Sequence, residues 1–176
     1  MALTANLIPS QITTFPCPYD ATLAFCSAQT LNSVASGFLA GNVNATLDLG
    51  GANPVSAAGR TDFIWNTDIT VLDETTTDET YQLFLVGSND VAFANGNCEL
   101  LAMHDFGLSA NRIIANVLGT TPVVPPVGLG GTIIQIPATN LMQRIYYRYL
   151  KVYTKLSGTT PILTFTSWIS RAEIDI

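Results

Sequence analysis

An all-β fold is expected of this chain: an antiparallel, jelly-roll-like sandwich with an extended N-terminal arm and at most one short helix. Three observations predict it. About seven or eight stretches of β character recur at spacings of about 10 to 25 residues. The segments between them are rich in Gly, Asn and Pro, the residues that turns require. Helical periodicity is nearly absent, with residues 108–118 the one candidate. At 176 residues the chain suits one core and is short for two. The expected division is an arm over residues 1–33 and a single sandwich over residues 34–176.

The elements follow in order. Residues 1–33 hold Pro9, Pro16 and Pro18 among scattered aromatics and show no sustained period, the character of an extended arm. A short β stretch, Asn42-Val43-Asn44-Ala45-Thr46-Leu47-Asp48-Leu49, ends at Gly50-Gly51. From Phe63 onward, Phe63, Trp65, Ile69 and Val71 take odd positions, while Asp62, Asn66, Asp68 and Thr70 take even ones. That alternation marks a strand with one dry and one wet face, Thr67 being the weak member of the dry set. Tyr81-Gln82-Leu83-Phe84-Leu85-Val86 is apolar on both parities and reads as a central strand covered on both sides. Asn95-Gly96 tolerates positive φ and predicts a tight turn into a strand from Cys98. Residues 119–131, with Pro122, Pro125, Pro126, Gly128, Gly130 and Gly131, read as a long loop, after which residues 132–136 resume β character. Two final runs, residues 145–156 and 161–170, flank Ser157-Gly158-Thr159-Thr160 and predict a C-terminal hairpin.

Composition excludes several function classes. Charged residues make up 11% of the chain against about 25% in typical soluble domains, so its surface is polar but weakly ionic. The apolar share of 48% argues against disorder, which pairs low hydrophobicity with high charge. No run approaches the roughly 20 apolar residues of a spanning helix, so no membrane is expected as partner, and the excess apolar area points to burial between subunits. A net charge of −6 opposes nucleic acid, because proteins that track phosphates supply Lys and Arg to displace counterions.

No catalytic, metal or cofactor site is expected. Cys17, Cys26 and Cys98 include no C-x-x-C, and His104 is the single histidine available to join them. Cys17 and Cys26 are the pair able to bridge, but residues 1–10 lack a secretory pattern, so folding in a host cytoplasm with three free, mostly buried thiols is expected. His104-Asp105-Phe106-Gly107 resembles a kinase fragment without the glycine loop, paired lysine or catalytic loop, and reads as a strand end before a turn. One histidine without a G-x-S-x-G elbow makes a poor hydrolase. Gly128-Leu129-Gly130-Gly131 lacks the Gly-Lys-Ser/Thr of a phosphate cradle, and the acidic stretch at 73–79 lacks the alternating oxygens of a calcium loop.

Four of the seven basic residues, Arg144, Arg148, Lys151 and Lys155, fall within twelve positions. On a strand Arg148 projects to one face and Lys151 with Lys155 to the other. Tyr146, Tyr147, Tyr149 and Tyr153 read as core and interface residues, with a glycan-stacking platform as the alternative.

The carboxy-terminal half resembles a known family. The stretches that carry the likeness are Thr46-Leu47-Asp48-Leu49-Gly50-Gly51; Tyr81-Gln82-Leu83-Phe84-Leu85-Val86-Gly87-Ser88-Asn89-Asp90; and Arg148-Tyr149-Leu150-Lys151-Val152-Tyr153 with the run from Thr159 to Trp168. In order and spacing they are similar to the capsid cement, or decoration, proteins of short-tailed bacteriophages of the Bordetella-phage type. The resemblance implies a non-enzymatic, jelly-roll-like virion protein on the outer surface of a capsid, a homo-oligomer (dimer or trimer) that bridges neighbouring copies of the major capsid protein. Phe15, Tyr19 and Phe25 of the arm, with Arg148 and Lys151, are the residues expected to touch a partner. A carbohydrate-binding β-sandwich, lectin-like or receptor-binding, is the alternative on the same fold.

Overall fold

A computed structural model describes residues 21–50, 59–73, 78–94, 97–108, 114–115, 122–123 and 133–171. Among them the secondary structure is thirteen β-strands and a single 3-10 turn at Ala21–Leu23. The molecule is an all-β sandwich of antiparallel sheets. One sheet runs β1 (Ala24–Leu31), β13 (Leu163–Arg171), β4 (Asp62–Leu72) and β9 (Ile133–Thr139). The other runs β2 (Ala35–Phe38), β12 (Tyr149–Ser157), β5 (Thr80–Ser88) and β6 (Cys98–Leu108), with β3 (Leu47–Asp48) extending β2's edge along β12. Four short strands complete the set: β7 (Ile114–Ala115) pairs β8 (Pro122–Val123), and β10 (Leu141–Met142) pairs β11 (Ile145–Tyr146). The eight main strands pair in a nested way, β1 with β13, β2 with β12, β4 with β9 and β5 with β6. Successive nested pairs alternate between the sheets, as when one long ribbon is folded over on itself.

The core lies between the sheets. Phe63, Trp65 and Ile69 of β4 and Leu163, Phe165 and Ile169 of β13 face Tyr81, Leu83 and Leu85 of β5 and Leu150, Val152 and Leu156 of β12. Thr67, the weak member of the dry face, is buried with them. Val71 is 45% exposed instead. A register shift opposite Thr164/Phe165 reverses the parity of β4 just before Val71.

Several expectations are corrected. The final two strands do not form a hairpin: β12 bonds to β5, β2 and β3, whereas β13 bonds to β1 and β4 in the other sheet. Each run buries one face, and period two tells which face is buried without telling which strand lies beside it. The boundary expected after residue 33 does not hold, since β1 (Ala24–Leu31) is a strand of the sandwich, with Ala24, Phe25 and Cys26 buried and β1 paired with β13; residues 1–20 lie outside the described residues. The helix considered over residues 108–118 is contradicted at Ile114–Ala115, which is strand β7, and Pro122–Val123 gives the expected loop a strand of its own. Leu108 is the last residue of β6, and the other positions of both segments, with the Asn95-Gly96 turn, lie outside the described residues. His104 is a mid-strand residue of β6, opposite Leu83, its ring 4.3 Å from that of Phe106. Burial holds its imidazole below the usual value, partly offset by Asp105.

Cys26 and Cys98 are free thiols, and Cys17 lies outside the described residues. Burial pushes the Cys26 thiol up to about 12, and its S–H reaches the Phe165 carbonyl at 3.7 Å. Cys98 is only partly buried. In the native protein a thiol-specific reagent is expected to modify Cys98 well before Cys26, which reacts only on unfolding. Peptide mass mapping checks this, and equal labelling of both thiols in native buffer would contradict the burial of β1.

Candidate interaction face

The two outer faces of the sandwich differ in chemistry. On the β1-β13-β4-β9 sheet, polar side chains bond to one another and to the backbone. Thr30 and Thr164 share a hydrogen bond of 2.8 Å, Thr70 donates to the Thr164 carbonyl, and Ala28 N–H donates to Thr166 Oγ1. Asn66 donates to Ser170 Oγ and accepts from Gln135 Nε2. These groups already have partners and gain little by docking, Asn66 and Ser170 being buried as well. On the same sheet Asp68 Oδ1 and Gln29 Oε1 have no partner among the described residues, and Val71 and Ile133 are 45% and 36% exposed.

The β2-β12-β5-β6 sheet presents an apolar row instead. Register places Phe38, Tyr153, Phe84 and Met103 side by side on four adjacent strands, a row about 14 Å wide at ordinary strand spacing. The ring of Tyr153 meets those of Phe38 at 5.3 Å and Phe84 at 5.9 Å, both edge-on, the favoured aromatic geometry. One pair further along, Lys151, Val86 and Leu100 form a second row. Lys151 Nζ lies 5.0 Å from the ring centre of Phe93 and 5.5 Å from that of Phe38, so the cation caps an aromatic cluster while its stem covers apolar surface. Phe38, Leu100 and Met103 are 38%, 44% and 48% exposed, an unusual concentration of large apolar side chains on one sheet face. The expectation that β5 is covered on both sides is met fully on the core side and in part on the other, where Val86 is buried and Phe84 half-buried.

The residues expected to touch a partner fall in different places. Lys151 sits on this face. Phe25 does not: at 1% exposure it is part of the core and is withdrawn as a contact residue, because β1 carries it into the sandwich. Arg148 is tied within the chain, its Nε and Nη2 each 2.7 Å from a carboxylate oxygen of Asp48 and its guanidinium stacked over Tyr149. That fork clamps β3 to the start of β12, and it holds the Asp48 carboxyl below the usual carboxylate range. Phe15 and Tyr19 lie outside the described residues. Sequence reasoning missed Phe38, Phe93, Leu100 and Met103. Phe84 and Met103 were legible only as members of apolar runs, and nothing local marks which of their neighbours share a face.

Among the described residues no three His, Cys, Asp or Glu side chains gather so as to hold a metal ion, and no helix is long and apolar enough to cross a membrane. No protein-family model, curated protein or solved structure matches the chain.

Proposed function

We propose that this protein is a structural component of a virion: a jelly roll that binds the outer surface of a phage capsid and cements neighbouring major capsid proteins, self-associating as it does so. The observation that carries the reading is the row of aromatic and apolar side chains on the outer face of the β2-β12-β5-β6 sheet, with Phe38, Leu100 and Met103 exposed. A charge-poor apolar face draws its affinity from buried area and shape, and a repeating lattice multiplies weak contacts through effective concentration. The nested pairing of eight strands in two sheets supports the jelly-roll reading, an architecture found in capsid proteins and lectins. A net charge of −6 suits the outside of a shell better than its phosphate-filled interior.

The test is co-sedimentation with empty shells of the encoding phage. Leu100→Asp with Met103→Asp places two charges on the face without entering the core, and about tenfold or greater loss of shell affinity is expected. An unchanged denaturation midpoint controls for folding. Full occupancy by that variant would sink the assignment of this face.

A further inference from the structure

A cleft of about 390 Å³ opens where the segment following β5 meets the start of β6 and the end of β11. Two of its walls are fixed in advance. Asn89 donates from Nδ2 to the Tyr146 carbonyl at 3.0 Å and accepts the Arg148 N–H at 2.9 Å, clamping one wall to the other. The Asp90 carboxylate accepts the N–H groups of Ala92 and Ala94, at 2.9 and 3.3 Å. Tyr147, 9% exposed, forms part of the lining and rests on Gly87, where an added Cβ would come within 2.9 Å of it. Burial, then the nearby Glu99 carboxylate, raise the Tyr147 phenol above its ordinary value, so it stays protonated and able to donate. By contrast, the side-chain amide of Asn97, an exposed residue, and the half-buried Glu99 carboxylate line the cleft with no hydrogen-bond or ion-pair partner among the described residues.

We propose that this cleft binds a neutral, hydroxyl-rich ligand, a mono- or disaccharide unit of a glycan. Sugar hydroxyls both donate and accept, which matches a carboxylate that only accepts beside an amide that does both. Ile145, 48% exposed, supplies an apolar wall for the C–H face of a pyranose beside Tyr147. The volume lies within the range of small-molecule sites, and the prepaid ordering of Asn89 and Asp90 lowers the cost of binding. A metal ion is a weaker match because, among the described residues, no three His, Cys, Asp or Glu side chains gather here so as to hold one. The proposal is independent of capsid docking, since neither Asn97 nor Glu99 belongs to the aromatic rows.

Saturation-transfer NMR on the intact protein, in chelator, with methyl glycosides of glucose, galactose, mannose and N-acetylglucosamine tests it. Transfer to at least one sugar is expected, weakened about tenfold or more by Asn97→Ala and by Glu99→Ala. Glu99→Gln, which keeps an acceptor oxygen, is expected to retain binding to within about tenfold. Unaltered thermal unfolding shows that the variants fold. Transfer to none of these sugars overturns the proposal. So does binding that appears only with added calcium, or a site that takes arginine amide and loses it in Glu99→Gln, since either marks a cation site.

Discussion

Replacing Asn140 by alanine is expected to lower the unfolding free energy by about 3 kcal/mol. Asn140 is fully buried, and its side chain serves three backbone groups from two directions. Oδ1 accepts the Thr61 N–H at 2.7 Å, while Nδ2 donates to the carbonyls of Gly59 at 3.0 Å and Tyr147 at 3.1 Å. Its own backbone bonds to Thr61 and Tyr147 as well, so one residue joins the entry of β4 to the segment between β11 and β12. Truncation leaves the buried Tyr147 carbonyl, and the part-buried Thr61 N–H and Gly59 carbonyl, without that partner, which costs more than the bonds themselves contribute. Asn140→Asp sharpens the test. It keeps the acceptor for Thr61 but turns an oxygen toward two carbonyls, which favours the protonated carboxyl and raises its folded pKa above the unfolded one of about 3.9. A raised folded pKa means that stability is greatest at acid pH below the unfolded value and is lost as pH rises through the folded value. Urea titrations of both variants across pH check this. An Asp variant as stable as the parent at neutral pH would refute the role given to Nδ2.

A loss of about 3 kcal/mol or more is expected from Gly158→Ala, at the turn where the chain passes from β12 in one sheet to β13 in the other. Gly158 has φ of +101°, where a side chain is strained in any surroundings. A Cβ there would also lie 2.6 Å from Glu79 Cα and 2.7 Å from the Asp78 carbonyl oxygen, both backbone atoms that cannot swing aside. Asp78 further anchors the turn by accepting from the N–H and hydroxyl of Thr159. Gly50→Ala is the matched control. Its φ is +77° but no atom of the described residues lies within 4 Å of the added carbon, so about 1 kcal/mol is expected from backbone strain alone. Equal denaturation midpoints for the two variants would show that the approach of residues 78–79 to the turn has no energetic weight.

The crossing at Gly158 also shows where sequence reading stops. Ser157-Gly158-Thr159-Thr160 was legible as a turn from composition, and the runs on either side as strands from their alternation. Their separation into two sheets was not legible, although Pro161, which lacks an N–H to give a ladder, marks the place where a simple hairpin would falter. Tyr81 illustrates the same limit. Its position in a strand is written in its neighbours, but its hydroxyl, which donates to the Asp73 carbonyl and accepts the Ile162 N–H, ties together segments distant in sequence.

By itself, the sequence determined that the chain is all-β, where most strands run and, for Phe63, Trp65 and Ile69 of β4, which side chains line the core, because burying one face of a pleated strand imposes a period of two on the residues that form it. Only the tertiary structure decided which strands are neighbours, that Phe25 belongs to the core, and that Phe38, Phe84, Met103 and Tyr153 make one exposed row. Register between strands far apart in the chain creates that row, and register is settled by the packing of whole sheets rather than by any local run of residues.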